Sequence, residues 1–135
     1  MSAPPLTGGC LCRGVRFELT EPPISASYCH CTRCQRRSGT AASANARIVP
    51  GSLKVTSGQE LLKAFQPPDG SAKVFCVNCG AALWAERDGT PAGVRLGAFD
   101  EDPGVRPSYR QYVAYAASWE PIPDDGLERF DEQRP

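Results

Sequence analysis

The chain of 135 residues is predicted to be all-β and mainly antiparallel, on three observations. Short runs of alternating apolar and polar residues recur along it. Its thirteen prolines and thirteen glycines are scattered as punctuation and gather into no linker. Turn dipeptides interrupt the chain about every ten residues. Many short strands with frequent turns argue for sheets packed on one another. Hydrophobic content of 41% is ordinary for a globular chain, so residues 1–135 read as a single domain with a core of its own.

Val15-Arg-Phe17-Glu-Leu19 has period two and is rich in strand formers, which predicts a half-buried strand. The same pattern predicts strands at Leu53–Val55, Leu61–Phe65, Lys73–Phe75, Ala82–Ala85, Val94–Leu96 and Tyr109–Tyr115. Pro50-Gly51, Asp69-Gly70, Asp88-Gly89 and Pro103-Gly104 mark turns. A single short helix is expected after Thr32, through Cys34 to Arg37, ended by Gly39. Phe17, Phe65, Phe75 and Trp84 are assigned to the core and Trp119 to a cleft. The acidic, proline-punctuated stretch from Pro121, with Asp124, Asp125, Glu128, Asp131 and Glu132, is expected to be a solvated tail over the surface.

Fifteen basic residues balance fifteen acidic ones, which argues against a nucleic-acid or anionic-membrane binder. No apolar run is long enough to cross a bilayer. Met1–Leu6 has neither a basic nor an apolar leader region, so a cytoplasmic setting with reduced thiols is expected.

Seven cysteines fall in three tight groups: Cys10-Leu-Cys12, Cys29-His-Cys31-x-x-Cys34 and Cys76-x-x-Cys79. An odd count fits a disulfide framework badly, and such close pairing is metal-ligand spacing. Tetrahedral zinc sets its sulfurs roughly 3.8 Å apart. A C-x-x-C turn reaches that separation, and so do residues i and i+2 at the irregular end of a strand. Gly8-Gly9 and Gly80 are expected to supply the loose backbone of these knuckles. A closed structural site takes four ligands and a catalytic one keeps a position open. Cys10, Cys12, Cys76 and Cys79 therefore form the closed site, and Cys29, Cys31 and Cys34 the open trio. His30 competes as a fourth ligand, but in an extended segment its side chain points away from both neighbouring cysteines.

Gly8-Gly-Cys10-Leu-Cys12, Val15-Arg-Phe17, Cys29-His-Cys31-Thr-Arg-Cys34-Gln-Arg-Arg-Ser-Gly39, Phe75-Cys76-Val-Asn-Cys79-Gly80 and the closing Trp119 to Phe130 pattern follow one another along nearly the whole chain. The whole resembles the glutathione-dependent formaldehyde-activating enzyme family, which also includes the domain of centromere protein V. The resemblance implies a β-tent-like fold with two zinc ions, one structural and one catalytic, in the same partition. It further implies carbon–sulfur lyase chemistry on S-hydroxymethylglutathione, formed from glutathione and formaldehyde. Two departures stand out: Arg13 where a glycine usually follows the first cysteine pair, and Arg110 where a histidine is often found.

Three thiolates on Zn²⁺ carry a net charge of −1, a centre suited to a soft fourth ligand such as a thiol. Arg33, Arg36 and Arg37 beside it either recognise substrate carboxylates or form a solvated helix face. Ser38 and Thr40 are read as turn residues. The function expected is a zinc-dependent carbon–sulfur lyase acting on a small thiol–aldehyde adduct. The rivals are a non-catalytic interaction module with two structural zincs and a redox or metal-buffering protein.

Overall fold

Two β-sheets share one core in the computed structural model, which describes residues 5–135. Met1–Pro4, part of the stretch read for a leader, lie outside the described residues. The smaller sheet joins β1 (Leu6–Gly9), β2 (Arg16–Leu19) and β5 (Leu53–Ser57), all antiparallel. The larger contains β3 (Ser25–Cys29), β4 (Ser43–Arg47), β6 (Leu62–Phe65), β7 (Ala72–Cys76), β8 (Ala82–Arg87), β9 (Thr90–Arg95), β10 (Pro107–Gln111) and β11 (Glu128–Arg129). Their order is β11-β10-β3-β4-β9-β8-β7-β6. Only β10 pairs in parallel, with β3 on one side and β11 on the other. The helix α1 (Thr32–Ser38) connects β3 to β4 and ends at Gly39, whose φ of 69° closes it in the left-handed conformation.

Period-two alternation explains how the sheets meet. In β2, Phe17 and Leu19 point inward and are buried while Arg16 and Glu18 do not. Phe17 packs edge-on against Trp84 at 5.7 Å and Phe99 at 5.9 Å. Opposite it, Val74, Trp84 and Val94 stand in register across β7, β8 and β9 and are all buried. The residues between them belong to the other face. Lys73 is paired with Ala85, Ala85 with Gly93, and Arg95 with Asn45. That second face is the floor of a cleft.

Several expectations are corrected. The strand predicted to reach Tyr115 stops at Gln111, because Tyr112 takes φ 58° and a 3₁₀ turn follows at Val113–Tyr115. Leu61 and Leu96 likewise sit in 3₁₀ turns flanking their strands. Phe65 is 61% exposed, because in β6 it stands opposite Lys73 on the face away from the core, whereas Leu62 of the same strand packs against the core. The acidic tail is more than a solvated cover. It contributes β11, and the backbone N–H groups of Tyr112, Val113 and Ala114 donate to the carbonyls of Glu132, Phe130 and Asp131. Phe130 packs edge-on to Tyr109 at 5.9 Å. Strands β1, β3, β4 and β11 were not expected. All four predicted turns lie in connections between elements.

Candidate metal centres and the cleft above the sheet

Cys10 and Cys12 leave β1 on a turn that brings Arg13 N–H to the Cys10 carbonyl (3.1 Å) and Cys10 N–H to the Val15 carbonyl (3.2 Å). Gly8 and Gly9 serve close approach here, not loose backbone. A Cβ on Gly8 would stand 2.3 Å from the Ala98 carbonyl oxygen and 2.6 Å from the Phe17 ring, and one on Gly9 2.2 Å from the Val15 carbonyl oxygen. The second knuckle begins at the end of β7, where Gly80, at φ 76°, returns its N–H to the Cys76 carbonyl. The sulfurs of Cys10, Cys12, Cys76 and Cys79 lie within 4.8 Å of one another. Cys10 and Cys12 are 3.5 Å apart, and Cys12 and Cys76 3.9 Å. Backbone N–H groups of Ala81 and Cys12 hold the Cys79 thiol down at about 6, whereas burial pushes Cys76 up to about 11.

The second group is Cys29, Cys31 and Cys34, again with sulfurs within 4.8 Å of one another. Cys29 ends β3, and Cys31 is the N-cap of α1, accepting from Cys34 N–H at 3.3 Å. Gln35 pins the helix by donating to the carbonyls of His30 (2.8 Å) and Tyr115 (2.9 Å). Contacts with Cys29 and Cys31 hold the Cys34 thiol far below its ordinary value. Contacts with Cys31 and Cys34, together with burial, push the Cys29 thiol far above. Ser43 and Arg95 add to the lowering at Cys34. Both groups are all-thiol, closely spaced and free of carboxylates, a donor set that fits zinc. Each can hold one ion.

His30 is not part of the trio. Its Nε2 lies 3.1 Å from an Arg110 guanidinium nitrogen, which can only donate, so Nε2 accepts and the ring is neutral with its proton on Nδ1. Burial and the neighbouring Arg110 lower the His30 pKa, in agreement with that state. Arg110 is buried, lies 4.4 Å from the Tyr28 ring centroid, and pairs with Asp125 at 2.8 Å. The tail and the segment behind the trio are therefore joined through one guanidinium. Asp125 was the residue that sequence reasoning left in solvent, and its partner lies in another strand.

The trio opens into a cleft of about 510 Å³, within the range of small-molecule sites. Of the three arginines proposed from sequence, two line it. Arg33 donates to the Asp69 carbonyl at 2.7 Å and pairs with its carboxylate at 2.5 Å across the cleft mouth. Arg37 donates to the Val74 carbonyl at 2.7 Å. Arg36 instead faces a separate shallow hollow beside Trp119, which is 65% exposed. Ser38 donates to the Cys34 carbonyl and Thr40 to that of Ala42, both at 2.8 Å or less, as turn residues do.

Sequence reasoning missed Lys73, Arg87 and Arg95, which also line the cleft. Their only signal was a basic residue at the position alternate to a core residue, Lys73 before Val74 and Arg95 after Val94. Sheet register alone brings them together. No helix among the described residues is long and apolar enough to cross a membrane.

The model of the family described as glutathione-dependent formaldehyde-activating enzyme matches residues 5–115. A crystal structure of a Rhodobacter sphaeroides protein is similar at 27% identity and a TM-score of 0.54, covering 92% of this chain and 98% of that one. No curated protein matches the chain.

Proposed function

We propose, because the chain belongs to the glutathione-dependent formaldehyde-activating enzyme family, that it forms or cleaves S-hydroxymethylglutathione or a closely similar thiol–aldehyde adduct. The observation that carries this reading is the contrast between the two thiol groups. Cys10, Cys12, Cys76 and Cys79 offer four sulfurs to one ion, while Cys29, Cys31 and Cys34 offer three and face a cleft. The first group is assigned to structural zinc and the second to catalytic zinc. When bound by the trio, zinc would supply a Lewis-acid position at which a thiol loses its proton readily.

The protein's own residues then position the partners. Cys31, as helix N-cap, and Cys29, at a strand end, are fixed by backbone hydrogen bonding, so the trio is set before substrate arrives. Arg33 and Arg37 on the cleft wall offer guanidinium groups to carboxylates of the thiol substrate. In the condensation the S–H bond breaks, sulfur adds to the aldehyde carbon, and the carbonyl becomes a hydroxyl by taking up one proton. The lyase direction reverses each change, and neither needs an oxidant or a reductant.

The test has two parts. Elemental analysis of anaerobically purified protein is expected to return two zinc atoms per chain. Exchange spectroscopy by NMR on formaldehyde and glutathione is expected to show catalysed interconversion with the adduct, lost in Cys34→Ser. A Cys34→Ser protein as active as the parent would remove the trio from the chemistry. Two zinc atoms with no catalysed exchange would favour a structural interaction module.

A further inference from the structure

The cleft carries more positive charge than its sulfurs require. Among its lining residues are five basic side chains, Arg33, Arg37, Lys73, Arg87 and Arg95, and a single carboxylate, Asp69. Asp69 is already engaged by Arg33. Arg95 donates to the Asn45 amide oxygen at 2.9 Å and Arg37 to a backbone carbonyl, both neutral acceptors. Among the described residues, the Lys73 ammonium has neither a hydrogen-bond nor an ion-pair partner, although its residue is only partly exposed. Burial and the nearby Arg95 and Arg37 lower its pKa, while the Cys34 charge opposes that shift. A half-buried ammonium beside two guanidiniums is costly unless an anion joins it.

Position matters as much as sign. From β3, which ends at Cys29, the larger sheet runs through β4 to β9, bearing Arg95, and then through β8 to β7, bearing Lys73. The helix crosses above this face, since Arg37 of α1 donates to the Val74 carbonyl beside Lys73, and Cys34, Arg37, Lys73 and Arg95 line the same cleft. In register with Lys73 lie Ala85 and Gly93, small residues that leave the floor open there. Three thiolates around a divalent ion carry −1. With Arg33 cancelled by Asp69, the four cations Arg37, Lys73, Arg87 and Arg95 then leave a surplus of about three positive charges.

We infer that Lys73 and Arg95, with Arg37, form an anion-binding wall that selects thiol substrates by their carboxylates. The wall makes the cleft specific for dicarboxylate thiols and poor for neutral or cationic thiols of equal size. This rests on the reading of the trio as the reaction centre, but its test separates the two.

The experiment is calorimetric titration of the zinc-loaded full chain with three probes: glutathione, its diethyl ester, and S-methylglutathione, which keeps both carboxylates but has no free thiol. Glutathione is expected to bind at least thirtyfold more tightly than the ester. Lys73→Met is expected to weaken glutathione and S-methylglutathione about tenfold each and leave the ester unchanged, and Lys73→Arg to restore most of the loss. Arg95→Met provides an independent variant with the same pattern. Equal affinities for glutathione and the ester would overturn the inference, as would an equal loss for all three probes in Lys73→Met. Lys73-dependent binding of S-methylglutathione without catalysed adduct exchange would leave the wall standing and defeat the catalytic reading. Catalysed exchange indifferent to ligand charge would do the opposite.

Discussion

The two cysteine groups differ in how much of the chain they bring together. Cys10 and Cys12 extend from the small sheet, and Cys76 and Cys79 from the end of β7 in the large one. Their four sulfurs meet from two sheets, Cys12 and Cys76 across 64 positions of sequence. Cys29, Cys31 and Cys34 span six positions and two adjacent elements, so an ion there joins little that is not already joined. Where metal binding closes distant chain, its free energy becomes folding free energy; where it closes local chain, it can be given to a ligand. The same comparison sets the environments apart. The closed group has backbone amides for company, and the open one a cleft rich in arginine and lysine.

The largest test is a pair of serine substitutions. Cys10→Ser is expected to cost on the order of 5 kcal/mol of stability or more, because a structural zinc site contributes folding energy outright. Cys34→Ser is expected to lose one metal equivalent while moving stability by only about 1–2 kcal/mol. Scanning calorimetry with zinc analysis of both proteins checks this. Equal loss in the two would abolish the distinction between clamp and cleft. Phe17→Ala comes next, at about 3–5 kcal/mol, since it empties the contact between Phe17, Trp84 and Phe99. Chemical denaturation with and without chelator separates core from clamp. The Phe17 cost is expected to persist in both conditions, and a cost that vanishes without metal would make the sheet packing a consequence of the zinc.

How far these regions were legible in the sequence follows the range of their contacts. Both thiol groups, the helix and its Gly39 terminus were visible because spacing within a few residues fixes them. Strands β3 (Ser-Ala-Ser-Tyr-Cys) and β4 (Ser-Ala-Asn-Ala-Arg) were not, because small and polar residues replace the apolar alternation that marks a strand. They sit in mid-sheet, where register and neighbouring strands override weak local preference. The tail was misjudged for a related reason. Asp125 is acidic and flanked by Pro123 and Gly126, which reads as solvent, yet Arg110 in a parallel strand claims it. Lys73 and Arg95 are 22 positions apart and share a cleft only through sheet pairing.

The tail pairing gives a pH prediction that separates the two ends of the molecule. Arg110, and then the Leu127 N–H, hold the Asp125 carboxyl below its ordinary range. Asp102 is lowered to about 2, chiefly by Arg106. A depressed folded pKa contributes stability that is full above the unfolded value, about 4, and is lost as pH falls through the folded one. Metal-free protein is therefore expected to lose stability progressively from about pH 4 toward pH 2. Asp125→Asn should flatten part of that fall and expose the amides of Val113 and Ala114 to hydrogen exchange while sparing β2. A pH profile unchanged by Asp125→Asn would remove the tail from the support of the trio.

The smallest effect concerns the residue after the first cysteine pair. Arg13 is exposed and holds φ 66°, a left-handed conformation in which an L side chain crowds the following carbonyl. Its N–H bond to the Cys10 carbonyl closes the knuckle that aims Cys10 and Cys12 at the second pair, so the strain is kept by the clamp. Glycine would relieve the crowding, but it also gives the unfolded chain more freedom to lose, and the two effects partly cancel. The net expectation for Arg13→Gly is a gain of about 0.5–1 kcal/mol, with tighter retention of the first zinc against a chelator and no change at the trio or in affinity for glutathione. Denaturant titration beside competitive zinc release measures both. A gain confined to stability, with zinc release unaltered, would place the strain outside the knuckle's metal-binding geometry. An altered glutathione affinity would show that clamp and cleft, separate in their ligands, are coupled through the core between them.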